Sequence, residues 1–256
     1  MMFDLQKAGL GKRFSAFLFD FIIIAVVAIG FAWIISQITG FYDTVDRFTA
    51  ELEKSGINLN MTEEEYNALT EAERDEYRAK LEALNDNKQA VNDYFQINNL
   101  VLVMMTLSPF FAFLVLEFIV PLLLKNGQTI GKKIFSVGVM RIDGVKLTAP
   151  VLFVRNILGK LTIETLVPLY MVIMVFMRAM LGIQLLDPLV ALALGAGVVL
   201  VNLVMTLTGG TKRSLHDYFA QTVAVDMTTQ LIFESREQML EYKKNIHKES
   251  VEKSTY

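Results

Sequence analysis

Hydrophobic positions along the chain gather into four long blocks, roughly Phe14 to Ile35, Ile97 to Leu124, Leu161 to Met177 and Leu186 to Leu207. Apolar runs near twenty residues have the length a helix needs to cross a bilayer. The pattern predicts an all-α membrane protein, a bundle of about four transmembrane helices. Trp33 lies near the far end of the first block, where interfacial aromatics belong. The second block holds Pro109 and Pro121 and is longer than a bilayer requires, so tilt, a kink or extension into water is expected. Only Arg178 to Leu185 separates the last two blocks, which predicts a tight helical hairpin.

The polar stretches between the blocks differ in kind. Residues 41–96 read as a helical insert. Thr62 with Glu65, and Thr70 with Glu73, fit the reciprocal capping pattern of a helix start. Beyond Thr70, the positions Tyr77, Leu81, Leu84 and Val91 recur on one helical face. No breaker separates that helix from the second block, so the two are expected to be continuous, within an extracytoplasmic helical hairpin. Residues 125–147 read differently. Val137, Val139 and Arg141, then Val145 and Leu147, alternate around the turn dipeptide Asp143-Gly144, which predicts a short cytoplasmic β-hairpin. Pro150 to Lys160 fits an interfacial helix with Arg155 and Lys160 at the headgroups. A similar short element is expected at Ser214 to Ala220, and residues 227–256 form a polar cytoplasmic tail.

Charge sets the orientation. Between Asp43 and Asp93 there are fourteen acids against six bases, whereas Lys125 to Lys160 holds seven bases and one acid. Lys7, Lys12 and Arg13 precede the first block, and Lys212 and Arg213 follow the fourth. With four spans all the basic segments fall on one side, which is then cytoplasmic, with both termini inside and the acidic insert outside. The first block resembles a signal core, but it is too long, holds Asp20 and precedes no small-x-small cleavage site. It is read as a retained span. The chain has no cysteine, so a disulfide framework or thiolate metal site is excluded.

Ionisable side chains inside spans are costly and mark candidate sites. Asp20, Glu117 and Glu164 qualify, at depths of roughly 10, 12 and 6 Å from the nearest flanking cation, and Asn202 lies at about 10 Å. All four fall in the cytoplasmic half and are candidates for an ion or proton pathway. Arg13 and Asp20, seven residues apart, share a helical face and are each expected to meet a partner on another element. Arg155 and Lys160 are the candidate cations for the buried acids. The competing account is that these charges only lock helices together. Glu117 stands out because no basic residue lies within a helical turn of it.

Enzyme chemistry is not expected. His216-Asp217 is a lone pair of neighbours about 100° apart on a helix, better suited to capping than to catalysis. No nucleophile elbow, zinc motif or phosphate loop occurs, and Gly127 to Lys133 has the wrong spacing for the last. No cofactor, metal or nucleic-acid partner is expected. Ala191, Ala193, Gly195 and Gly197 in the fourth block suit close helix packing, within the bundle or in a dimer.

Several motifs then coincide. Lys12-Arg13-Phe14-Ser15-Ala16-Phe17-Leu18-Phe19-Asp20 opens the first block, and Gly127-Gln128-Thr129-Ile130-Gly131-Lys132-Lys133 follows the second. Arg155-Asn156 comes next, and Arg213-Ser214-Leu215-His216-Asp217 follows the last. Together they resemble the RDD family of bacterial membrane proteins, named for an arginine and two aspartates, here Arg13, Asp20 and Asp217. Gly131, Lys132, Arg155 and His216 are further positions of the resemblance. It covers residues 1–226 apart from the insert, which is longer than the family's usual first loop. The resemblance implies a multi-pass protein of the bacterial cytoplasmic membrane. It suggests exchange of monovalent cations for protons, for which four helices are few, so a homo-oligomer would be expected. The alternative is a non-transporting assembly, envelope or accessory factor, with residues 41–96 as the surface for a protein partner.

Overall fold

A computed structural model of the chain describes residues 5–58, 60–124, 126–166, 188–209 and 213–254. Helix α1, Leu10–Thr39, runs through the first apolar block without a break. It stops at Gly40, whose φ of 64° lies in the left-handed region that glycine tolerates. Helix α2, Phe41–Ser55, closes on Gly56 in the same conformation. There Gly56 N–H reaches Glu53 O at 3.0 Å and Ile57 N–H reaches Leu52 O at 3.1 Å, which serves carbonyls that the helix end leaves open.

Helices α3, Glu63–Ala68, and α4, Glu71–Asp86, both begin on the expected capping boxes. Thr62 and Glu65 exchange bonds of 2.8 and 3.2 Å, and Thr70 receives Glu73 N–H while Glu73 accepts Thr70 N–H at 2.8 Å. The expected continuity from Thr70 into the second apolar block fails at one residue. Asn87 takes an extended ψ of 99°, and its side-chain oxygen accepts Gln89 N–H at 3.0 Å and Ala90 N–H at 3.3 Å. A short amide that bonds the following backbone offers an alternative to helical pairing and starts a new helix. Helix α5, Lys88–Phe113, therefore begins within the insert, and Val91 belongs to it rather than to α4.

From Lys88 the chain runs as one helix of 37 residues to Leu124, made of α5, a wider π-helical stretch Leu114–Ile119, and α6, Val120–Leu124. This is the extension beyond bilayer length that the second block implied. Helix α1 and this helix are the two described helices long and apolar enough to cross a membrane. Only 6% of the most apolar stretch of α1 and 33% of that in the longer helix are buried. A soluble core helix would hide such a surface. Phe14, Phe21, Val26 and Ile29 instead stand more than half exposed, as side chains facing lipid do. A further apolar helix, α9, Pro188–Thr208, coincides with the fourth block. The third block beyond residue 166 and the Arg178 to Leu185 turn lie outside the described residues. A Cβ on Gly197 would meet no atom within 4 Å among the described residues.

The chain divides into two compact units, Ile24–Ala112 and Met1–Ile23 with Phe113–Tyr256. In the first, the insert is a set of helices rather than a simple hairpin. Arg47 donates to Asp93 at 3.0 Å, Asn87 to Glu51 at 3.0 Å and Tyr77 to Asn58 O at 2.9 Å. The second unit contains α7, Ile130–Ile134; β1, Val137–Arg141; α8, Ala149–Phe153; and a π-helical stretch Val154–Glu164. After α9 come α10, Leu215–Phe219; β2, Thr222–Asp226; and α11, Arg236–Ser254.

Strand β1 forms, but its expected partner meets it only at the turn and builds no ladder with it. The turn at Asp143-Gly144 closes, with Gly144 at φ 85° and Arg141 N–H on Val145 O at 2.9 Å. Val145 then bridges Phe233, and β1 pairs antiparallel with β2 from Val137↔Asp226 to Arg141↔Thr222. The run Thr222-Val223-Ala224-Val225 is buried throughout and fills the apolar side that Val145 and Leu147 could not. The segment before α1 extends the sheet. Ala8 N–H bonds Ala224 O at 3.2 Å, and Asp226 N–H bonds Gln6 O at 2.9 Å. Lys12 Nζ clasps Asp226 at 2.7 Å, and that bond, with those from Thr228, holds the Asp226 carboxyl down at about 2.

Candidate functional site

The polar residues of the second unit converge on α10. Helix α10 starts at Ser214, and Asp217, three residues on, accepts Ser214 N–H at 3.3 Å. This is the capping role expected for an Asp beside His216. Asp217 is also wholly buried. Arg155 Nε donates to its Oδ1 at 3.0 Å and Thr222 Oγ1 donates to the same oxygen at 2.8 Å. Arg13 approaches Oδ2 at 3.8 Å while donating to Ser214 Oγ at 3.0 Å. These cations, Arg155 above all, outweigh the cost of burial and hold the Asp217 carboxyl well below the usual carboxylate range.

Arg155 is 2% exposed, so it does not sit at the headgroups as the interfacial-helix reading expects. The stretch that carries it winds with i→i+5 bonding, in which a turn takes between four and five residues. Residues 155, 159–160 and 164 therefore share a face. Gly159 is required on that face, since a Cβ there would stand 2.8 Å from His216 Cβ. The planar guanidinium divides its donors among Asp217, Asn156 Oδ1 at 2.9 Å and His216 Nε2 at 3.0 Å. A guanidinium can only donate, so His216 Nε2 accepts. Nδ1 then carries the proton and donates to Glu164 Oε1 at 2.8 Å. The same oxygen takes His216 N–H at 2.9 Å. Burial, with Arg155 beside the ring, pushes the His216 pKa down, and the imidazole is neutral.

Two further clasps join this cluster to the membrane helices. Asp20 of α1 is buried, but among the described residues its partners are not Arg155 or another cation. Its two oxygens accept the Thr129 hydroxyl and Gly131 N–H, the latter at 2.7 Å, so the carboxylate caps the start of α7. Gly131 admits no side chain: a Cβ would lie 2.4 Å from Ala16 O and 2.9 Å from Asp20 Cγ. Glu117 is the second clasp. Sequence neighbours leave it without a cation, but the fold supplies two, Lys160 on Oε1 and Lys132 at 3.8 Å from Oε2. Its backbone carbonyl matters as well. The Asn156 side-chain amide donates to it.

Arg13, Asp20, Lys132, Arg155, Lys160, Glu164, Asn202 and His216 line one cavity of about 300 Å3. Glu117 and Asp217 stand behind its wall. Asn202 is a capping residue, accepting Leu215 N–H at 2.9 Å. Burial, the largest influence on the Lys132 ammonium, lowers its pKa to about 8 despite Glu117. Among the described residues no group of three or more His, Asp or Glu is placed to hold a metal ion.

The sequence matches a family model. The model of the RDD family covers residues 7–221. The chain belongs to the RDD family. It is a membrane protein of that family, and Arg13, Asp20 and Asp217, the positions on which the resemblance is drawn, stand in one network, Arg13 facing Asp217 and Asp20 clasping α7. No curated protein and no solved structure matches the chain. Thr129, Asn156, Ser214 and Thr222 complete the network. Thr129, Asn156 and Ser214 lie within the motifs of the resemblance, without a role that the sequence assigns. The signal for Thr222 was the β-branched run that it opens.

Proposed function

We propose that this RDD-family chain is a non-transporting membrane component, an assembly, envelope or accessory factor that acts through residues 41–96. One observation carries the reading. Each of the four buried carboxylates in the network is engaged by donors of its own chain: Asp20 by Thr129 and Gly131, Glu117 by Lys160, Glu164 by His216, and Asp217 by Arg155. An exchanger needs a carboxylate that gives up its partner to an ion, and these partners are built into the fold. In this reading the charges lock helix ends together, and the acidic insert, on the outer side of the bacterial cytoplasmic membrane, offers the docking surface. Both termini are cytoplasmic, as the basic flanks require.

Exchange of monovalent cations for protons, by a homo-oligomer, is the second reading. It is favoured by Glu117 Oε2, a buried oxygen with no hydrogen-bond partner among the described residues and an ammonium 3.8 Å away. The two readings separate in sealed proteoliposomes with an imposed pH gradient. The accessory role predicts no cation-dependent proton movement. Movement that disappears in Glu117→Gln would overturn it in favour of exchange.

A further inference from the structure

The cavity has a distribution of charge that neither reading uses. Arg13, Lys132 and Lys160 line it, Lys160 also holding Glu117 and Arg13 also holding Ser214, while its two carboxylates, Asp20 and Glu164, have oxygens committed to Thr129, Gly131 and His216. Lys132 is the telling member. An ammonium has three donors, and the ion pair that Lys132 makes, with Glu117 Oε2 at 3.8 Å, lies beyond hydrogen-bond reach. Its side chain is only 15% exposed. Buried donors of a charged group need acceptors, and the protein leaves these to whatever fills the cavity. A metal cation is the wrong occupant for such a lining. An anion with several oxygens is the right one.

The rest of the wall selects among anions. Phe14, Phe17 and Leu203 line the same cavity, yet each is more than half exposed on the apolar surface of α1 or α9. The cavity is therefore continuous with the surface that meets lipid tails. Its cations also sit near helix ends, Arg13 in the first turns of α1 and Lys132 eight residues past the end of α6, at the level where headgroups lie. A free phosphate would meet the cations but leave the apolar wall without a partner. A diacyl lipid meets both.

We propose that this cavity is a binding site for the phosphate of an anionic phospholipid, with Lys132, Lys160 and Arg13 around the phosphate and an acyl chain along Phe14, Phe17 and Leu203. The site goes beyond the proposed accessory role and does not depend on it.

The full chain, purified in mild detergent, tests the site by thermal unfolding and by native mass spectrometry with three probes: phosphatidylglycerol, phosphatidylcholine and inorganic phosphate. Phosphatidylglycerol is expected to raise the melting temperature and to remain as one adduct per chain. Phosphatidylcholine and inorganic phosphate should do neither. Lys132→Gln should weaken phosphatidylglycerol binding about tenfold or more, the loss of one charge-assisted contact. Leu203→Trp, at an exposed position that tolerates bulk, should fill the wall and weaken binding without touching any charge. Lys133→Gln, at the exposed neighbour, should bind as the parent does. Equal stabilisation by inorganic phosphate would make the ligand a free anion and overturn the lipid assignment. Equal retention of phosphatidylcholine would remove charge recognition. Unchanged binding in a folded Leu203→Trp would move the lipid elsewhere.

Discussion

The side-chain amide of Asn156 donates to the backbone carbonyl of Glu117, in the π-helical stretch just before Pro121. A side chain of one helical stretch thus serves the backbone of another. The same asparagine accepts from Arg155 at 2.9 Å, which ties the proline-containing helix to the buried ionic cluster.

Asn156→Ala is therefore expected to cost about 1–3 kcal/mol, the penalty for leaving buried polar groups short of partners. Arg155→Gln removes the donor to the Asn156 side-chain oxygen, and the double variant should lose less than the sum of the two single losses. Melting temperatures of the four proteins in detergent form the cycle. Strict additivity would disconnect the two residues.

Arg155 and Asp217 make the most deeply buried ion pair of the network. Asp217→Asn leaves the guanidinium uncompensated and should cost about 3–5 kcal/mol. Arg155→Lys keeps the charge but loses the fork that serves Asp217, Asn156, His216 and Thr222 at once. It should lose most of the stability that Arg155→Gln loses. Parent-like melting of Arg155→Lys would show that charge alone suffices.

His216 gives the stability a pH dependence. Its pKa in the fold lies below the ordinary value of 6.5, so the unfolded chain binds the proton first. The contribution of the neutral imidazole is fully present above about pH 6.5 and is lost as pH falls towards the lower folded value. Denaturation in detergent from about pH 8 down to about pH 5 should show stability falling on the acid side. His216→Asn should flatten that slope, and an unchanged slope would assign it to other groups.

Sidedness can be read directly, since the chain has no native cysteine. Lys54 in the insert and Lys133 in α7 are both exposed. In intact cells Lys54→Cys should react with an impermeant thiol reagent and Lys133→Cys should not, until the membrane is opened. The reverse order would invert the orientation drawn from the basic flanks.

Much of the fold was legible because its signals are local. Apolar block length marked α1, the long helix from Lys88 and α9, and a threonine three residues before a glutamate marked the starts of α3 and α4. Depth counted along helices also brought Asp20, Glu164 and Asn202 to one level, and they do line one cavity. What the sequence hid were pairings that only the fold creates. Glu117 looked isolated because Lys132 and Lys160 lie 15 and 43 residues away along the chain. Asp20 was expected to need a cation, but two hydrogen bonds at a helix start satisfy it. Strand β2 was missed because four buried positions in a row carry no alternation, and Asn87 because a single side-chain amide interrupted an otherwise unbroken helical pattern.

The Arg13–Ser214 bond spans 201 residues and the Asp20–Gly131 bond spans 111. On a ribosome adding about 5–20 residues per second, Arg13 emerges on the order of 10–40 s before its partner exists. The partners of Asp20 follow after roughly half that time, and until Ser214 and Asp217 are made the first helix dwells at the membrane without the contacts that Arg13 makes to them. Synthesis of residues 214–226 supplies Ser214, Asp217 and β2 together, and with them the contacts that seat the first helix. Biogenesis of this protein is thereby timed by that segment: a chain truncated before Ser214 should be degraded faster than the full chain, however well its first two helices insert.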